Sequence, residues 1–163
     1  GAGIGGRGGM KIVSLYRFFP NNVAVGETLL HHHMTIVQDE YEALAKRAAD
    51  RSPEALADIL IDLLAVLYPL VKSLPALMEA HTDRTEIRSR SRQQALTGIS
   101  AALRVCAPGL DEQTARDIAA VVLNNMKVML GMTLKDAPTT PGAPDELRHM
   151  NRLYLSSRLG PCR

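Results

Sequence analysis

Residues 52–71, SPEALADILIDLLAVLYPLV, decide the fold class of this chain of 163 residues. Ser52, Pro53 and Glu54 are typical of a helix start, because a hydroxyl caps free backbone N–H groups, proline fits the first helical position and an acid favours the first turn. Residues 63–71 are apolar on nearly every side, which indicates a helix without a solvent-facing side. The segment therefore predicts a buried helix at the centre of a helical domain.

Apolar residues recur at three- and four-residue steps along most of the remaining chain, which is the spacing of one helix face. The predicted helices are about Val23–Ala49, a short one at Pro75–Ala80, Asp83–Ala107, Asp111–Leu134 and Asp145–Arg158. No segment alternates apolar and polar residues as a half-buried strand does. Aromatic residues make up 4% of the chain and Trp is absent, so the core must consist of aliphatic residues and Met, which favours helices. The sequence predicts an all-α fold.

Composition and motifs argue against several classes of protein. No apolar run reaches the roughly 20 residues that a membrane-spanning helix needs, and the glycine-rich first residues do not resemble a signal peptide. Cys106 and Cys162 form no C-x-x-C pair, which disfavours a metal site and favours a reducing cytoplasm. No motif of a hydrolase, nucleotide-binding enzyme or metalloprotease appears, so we expect neither an enzyme nor a cofactor. The net charge of +2 indicates no partner by itself.

Two polar clusters have an ordinary and a functional interpretation. His31, His32 and His33 point about 100° apart on a helix and cannot jointly ligate one metal ion, so a polar helix surface is favoured over a metal or pH-sensing site. The basic cluster at the start of a later helix consists of Arg84, Arg88, Arg90 and Arg92. Its interleaved Ser and Gln residues, without aromatic neighbours for base stacking, favour a solvated surface over a nucleic-acid site.

The stretch Gly9–Asn22, GMKIVSLYRFFPNN, carries a family resemblance. A glycine turn is followed by Leu15, Tyr16 and Phe19 at the spacing Leu-Tyr-x-x-Phe, and then by Pro20. This pattern resembles the recognition-helix signature of the TetR family, and the helices that follow match that family in order and length. The resemblance extends over about residues 9–158, but its family-specific part is confined to the first fourteen of them.

The resemblance implies an all-α, TetR-like fold with two parts. Residues 1–22 would hold part of a DNA-binding helix-turn-helix, with the recognition helix at about 10–19. Residues 23–163 would form an antiparallel helical ligand-binding and dimerisation domain, which begins with the family's long connecting helix. The implied function is that of a ligand-responsive transcriptional regulator, expected to be a repressor. It would bind operator DNA as a homodimer and would be released by a small hydrophobic effector.

Two departures from the family pattern concern DNA binding. The helices that normally brace a recognition helix do not precede the glycine turn here, although a helix-turn-helix depends on them. Asn22 also stands where the family usually has a Lys near phosphate, and phosphate contacts dominate DNA affinity. We therefore expect the chain as given to bind DNA weakly. The alternative is a helical ligand-binding and dimerisation module that no longer binds DNA.

The candidate DNA-binding residues lie on the predicted recognition helix. Lys11, Ser14 and Arg17 follow one another at three-residue steps and would share an exposed face suited to base edges and phosphates. By the resemblance, Tyr16 would donate to a phosphate, and Phe18 occupies a place near the DNA backbone where the family often has His. For Lys11 and Arg17, ordinary solvated charges remain the alternative.

The downstream helices are candidates for a ligand pocket and a dimer interface. Methionine adapts to many ligand shapes, although ordinary core packing is the more common role of any single Met. The residues predicted to line the pocket are Met34, Leu63, Leu67, Tyr68, Met78, Leu103, Asn125, Met126 and Met129. For Asn125, bridging of two subunits is an equal alternative, and simple surface exposure is a third. The predicted helices at about Asp111–Leu134 and Asp145–Arg158 would pair with the same two helices of a second copy and form a four-helix bundle. The residues predicted at that interface are Ile118, Val122, Leu147, Met150 and Tyr154.

Overall fold

The computed structural model describes residues 22–63, 66, 67, 70, 84–134 and 140–160. We number its helices α1 to α5. They comprise α1 at Asn22–Ala48, α2 at residues 53–63 with further helical residues at 66, 67 and 70, α3 at Arg84–Cys106, α4 at Glu112–Leu134 and α5 at Ala143–Leu159. No strand occurs among these residues, so the predicted all-α class is confirmed. No helix in the described ranges has both the length and the apolar character that crossing a bilayer requires.

Local chemistry explains where the helices begin. The Ser52 hydroxyl accepts a hydrogen bond from the Ala55 backbone N–H at 3.1 Å. The Asp111 carboxylate accepts one from the Thr114 N–H at 2.9 Å, and both are N-caps that satisfy free N–H groups at a helix start. α5 begins two residues before the predicted Asp145, because Pro144 fits the first turn of a helix. The predicted recognition helix and the predicted short helix at 75–80 lie outside the described residues.

In the core, α3 packs against both α1 and α4, and α5 packs against α4. The largest side chains that are fully buried come from all five helices and include Leu44, Leu60, Leu63, Ile99, Leu103, Ile118, Met126 and Leu155. Burial of each such side chain contributes about 1.5–3 kcal/mol. Aliphatic residues and Met therefore fill this core, as the composition predicts.

A glycine allows α1 and α3 to approach closely. Gly98 of α3 faces Tyr41 of α1, and a Cβ at position 98 would lie 2.4 Å from the Cγ atom of Tyr41. Real Cβ atoms do not approach another carbon so closely. The aromatic ring can pack here only because Gly98 has no side chain.

Charged side chains connect α2 to α5. The guanidinium of Arg152 donates two hydrogen bonds to the Asp58 carboxylate, at 2.8 Å and 2.9 Å. Arg148 donates a third to Asp58 at 3.3 Å and lies 3.9 Å from Asp62. The hydrogen bond from Arg152 is the main reason that the pKa of Asp58 is lowered, and it outweighs the opposing effect of burial.

Cys106, at the end of α3, is buried and disulfide-bonded. Its Sγ atom lies 3.3 Å from the carbonyl oxygen of Arg51. The expectation of reduced thiols, which favoured a reducing compartment, is therefore wrong for this residue. The other cysteine of the sequence, Cys162, lies outside the described residues. It follows Gly160 by two positions, and Gly160 lines a surface depression together with Arg51.

Candidate functional site

An open cavity of about 430 Å³ lies between α1, the end of α2, α3 and α4. This volume falls within the usual range of small-molecule sites. The lining residues are His33, Met34, Val37, Tyr41, Leu67, Leu70, Ile87, Arg88, Ser91, Arg92, Gln94, Ala95, Leu123 and Lys127. α1 and α3 contribute most of them, so the cavity is chiefly a gap between these two helices.

The inner part of the cavity is apolar. Val37, Tyr41, Leu67 and Leu123 are buried or half-buried side chains that belong to or pack against the main hydrophobic core. Burial raises the pKa of Tyr41 to about 12, so its phenol stays neutral at any physiological pH. The inner surface therefore suits an apolar ligand.

The outer part of the cavity carries polar groups. Gln94 of α3 donates a hydrogen bond to the backbone carbonyl of Met34 at 2.8 Å, which connects α3 to α1 beside the opening. The His33 imidazole is hydrogen-bonded through Nδ1 to the backbone carbonyl of Leu29 at 2.9 Å. The remaining polar lining residues are Arg88, Ser91, Arg92 and Lys127. Apolar inner walls with a few polar groups at the opening are the usual composition of a small-molecule site.

The structure places the residues predicted for the pocket in different surroundings. Met34 and Leu67 line the cavity. Leu63, Leu103 and Met126 instead pack fully buried in the core, so they are not available to a ligand in the cavity. Tyr68 and Met78 lie outside the described residues.

Two other residues predicted for the pocket lie on the side of α4 that faces α5. Met129 packs in a second apolar cluster with Ile61 and Leu147. The Asn125 amide donates a hydrogen bond to the side-chain oxygen of Asn151 at 2.7 Å, and Asn151 is 2% exposed. Neither Met129 nor Asn125 lines the cavity, so Asn125 has a place between two helices rather than beside a ligand.

Four large apolar side chains are exposed on α4 and α5. Val121, Val128, Met150 and Leu153 are 44%, 42%, 49% and 59% exposed. Val121 and Val128 are seven residues apart and so lie on one side of α4. We call these four residues the outer apolar face. They lie away from the cavity, which Leu123 and Lys127 of α4 border.

The residues predicted for a dimer interface divide into two groups. Ile118, Val122 and Leu147 are buried within the single chain at 1%, 2% and 8% exposure, so a second copy cannot reach them. Met150 belongs to the outer apolar face, and Tyr154 is half-buried beside it. Of the residues predicted for the interface, only Met150 and Tyr154 therefore keep accessible surface on the single chain.

The remaining candidate residues lie outside the described residues or on the exposed surface of α1. The candidate DNA-binding residues Lys11, Ser14, Tyr16, Arg17 and Phe18 lie outside the described residues, as does the side chain of Asn22, the first residue of α1. His31 and His32 are exposed on α1. Within the described ranges, no group of His, Cys, Asp and Glu is arranged to hold a metal ion.

The sequence interpretation assigned Arg88 and Arg92 to a solvated surface, and both residues are exposed, but it did not predict that they border the cavity. The helical spacing of the sequence nevertheless indicated their position. Residues four apart on a helix share a face, and Ala95, which lies three positions after Arg92, is buried. Arg88 and Arg92 therefore flank an inward-facing side of α3, whereas Arg90 forms an ion pair with Glu86 at 2.6 Å and does not line the cavity.

Comparisons of the chain with protein-family models, with curated proteins and with solved structures give no match.

Proposed function

We propose that the chain is a ligand-responsive, TetR-type transcriptional regulator, a repressor that acts as a homodimer on operator DNA. The observation that carries the proposal is the contact between the cavity and α1, which supplies His33, Met34, Val37 and Tyr41 to its lining. α1 directly follows the segment that resembles a recognition helix. A ligand that displaces α1 would therefore move the DNA-reading segment.

The length of α1 makes it an effective lever. It has 27 residues, and its start lies roughly 28 Å from the contact between Tyr41 and Gly98, at about 1.5 Å per residue. A tilt of about 10° around that contact would move the start of α1 by about 5 Å. Such a shift changes DNA binding only if the ligand binds the tilted arrangement more tightly than the untilted one.

The outer apolar face supports the homodimer. Exposed patches of large apolar residues often mark interaction sites, and pairing of α4 and α5 with the same helices of a second copy would bury this patch in a four-helix bundle. Two recognition segments in one dimer can then read two half-sites, whose spacing depends on how far apart the two α1 helices hold them.

The test uses the complete gene product and the DNA that flanks its own gene. Fluorescence anisotropy at matched salt should detect a saturable complex of two protein chains per DNA site, and a ligand of the cavity should release it. The proposal fails if no specific complex forms at low salt, where phosphate contacts are strongest.

The second candidate is a helical ligand-binding and dimerisation module that does not act on DNA. It is favoured by one observation, namely that the described residues of the cavity and of the outer apolar face all lie within residues 33–153, downstream of the segment that resembles a recognition helix. A protein that binds a ligand and dimerises, but gives no DNA complex in the same experiment, would support this candidate over the first.

A further inference from the structure

The opening of the cavity carries only positive formal charges among its described lining residues. Arg88 and Arg92 come from α3 and Lys127 from α4, while no Asp or Glu is among the described residues that line the cavity. None of these three residues forms an ion pair within the part of the chain that the structure describes. This contrasts with the ion pair of Arg90 and Glu86 on the same helix α3.

Arg88 and Arg92 lie on the same side of α3, where their like charges repel each other. Like charges four residues apart on a helix destabilise it by about 0.2–0.5 kcal/mol, and Lys127 adds a third positive charge at the same opening. An anion held among them would remove this repulsion, and its hydrogen bonds to arginine would be charge-assisted. Arginine presents a planar pair of donors that matches a carboxylate.

We propose that the ligand of this cavity is an amphiphilic carboxylic acid, whose apolar body lies against Val37, Leu67 and Leu123 and whose carboxylate binds Arg88 and Arg92. The inference rests on the proposed effector site and names the chemical class of the effector. A cavity of about 430 Å³ has room for roughly 14 non-hydrogen atoms, at about 30 Å³ for each water-sized group. A saturated acid of twelve carbons has this size.

The experiment compares three probes that share a twelve-carbon chain and differ in the charge of the head group. They are dodecanoate, 1-dodecanol and dodecyltrimethylammonium, each below its micelle-forming concentration, and binding is measured by titration calorimetry. Dodecanoate should bind at least tenfold more tightly than 1-dodecanol, and the cationic probe should bind most weakly. Added salt should weaken the binding of dodecanoate but not that of the alcohol, because only the acid depends on charge attraction.

Single Arg→Gln substitutions on α3 test where the carboxylate of dodecanoate binds. Arg88→Gln and Arg92→Gln should each weaken dodecanoate binding about tenfold and leave 1-dodecanol within twofold. Arg90→Gln is the control on the same helix and should change neither. Equal affinities for the acid and the alcohol, or an equal effect of Arg90→Gln, would overturn the assignment of an acid while leaving an apolar effector site in place. If none of the three probes binds, the cavity is not an effector site and the proposed function fails with it.

Discussion

Replacing Gly98 with alanine tests the packing of α1 on α3, on which the shape of the cavity depends. The added Cβ would lie 2.4 Å from the Cγ atom of Tyr41 and 2.6 Å from its Cβ and Cδ1 atoms. Carbon atoms in contact are about 3.5–4.0 Å apart, so the two helices must separate locally by about 1 Å. One of the contacted atoms is the Cβ of Tyr41, which no side-chain rotation can move, so the clash is relieved only if the α1 backbone moves.

Two opposing effects determine how much Gly98→Ala lowers the free energy of unfolding. Alanine is favoured over glycine inside a helix by about 0.8–1.0 kcal/mol, which would stabilise the variant. An additional carbon in a well-packed site costs about 1–3 kcal/mol. Because three atoms of Tyr41 are too close, we expect a cost near the upper end, so Gly98→Ala should lower the free energy of unfolding by about 2 kcal/mol.

Urea unfolding followed by circular dichroism measures this difference at one fixed protein concentration, since the stability of a dimer depends on concentration. Gly109→Ala is the control, because nothing lies within 4 Å of a Cβ at that position, and it should change stability by less than about 0.5 kcal/mol. An increase in the stability of Gly98→Ala would mean that Tyr41 does not pack on Gly98, and the reasoning would be refuted.

Three further perturbations test other parts of the account. Leu153→Glu adds a charge to the outer apolar face and should yield monomers in sedimentation velocity. The control Val105→Glu, at an exposed apolar residue of α3, should leave the dimer intact. A dimer that persists in Leu153→Glu would contradict the proposed interface. Asp58→Asn should lower the free energy of unfolding by about 1 kcal/mol at pH 7. Because the pKa of Asp58 is lowered in the folded chain, its ion pairs stabilise the fold above the unfolded pKa of about 3.9, and this stabilisation is lost as the pH falls through the folded pKa. If Asp58→Asn lowered the free energy of unfolding equally at pH 7 and pH 2, the stabilisation would not come from the charge of Asp58. Cys106 is disulfide-bonded, so alkylation of the unreduced, unfolded chain should leave Cys106 unlabelled in mass spectrometry, and a labelled Cys106 would contradict the bond.

The fold class and the helix starts could be predicted because their causes are local. The hydroxyl of Ser52 and the carboxylate of Asp111 cap helices through N–H groups three residues away, and such interactions are visible in a short segment of sequence. The buried side of α1 also followed from spacing, since Tyr41, Leu44 and Ala48 are all buried.

The lining of the cavity could not be predicted in the same way, because it depends on how four helices are rotated against one another. α4 shows the difficulty, since it is apolar on more than one side. Met126 is buried in the core while its neighbour Lys127 lines the cavity, and Val122 is buried while its neighbour Val121 is exposed. Adjacent residues point about 100° apart. A small error in the assumed rotation of α4 about its axis therefore assigns a residue to the core when it lines the cavity or the outer apolar face.

The central claim is that a ligand in the cavity changes the position of α1 within a dimer. Pulsed electron paramagnetic resonance tests it directly, with a spin label at Glu27, an exposed residue near the start of α1, attached through a non-natural amino acid so that the native cysteines remain unchanged. The account predicts one distance between the labels of the two copies, and a shift of several ångström when dodecanoate saturates the cavity. A distance that stays the same with the ligand bound, or the absence of any distance between two copies, would contradict it.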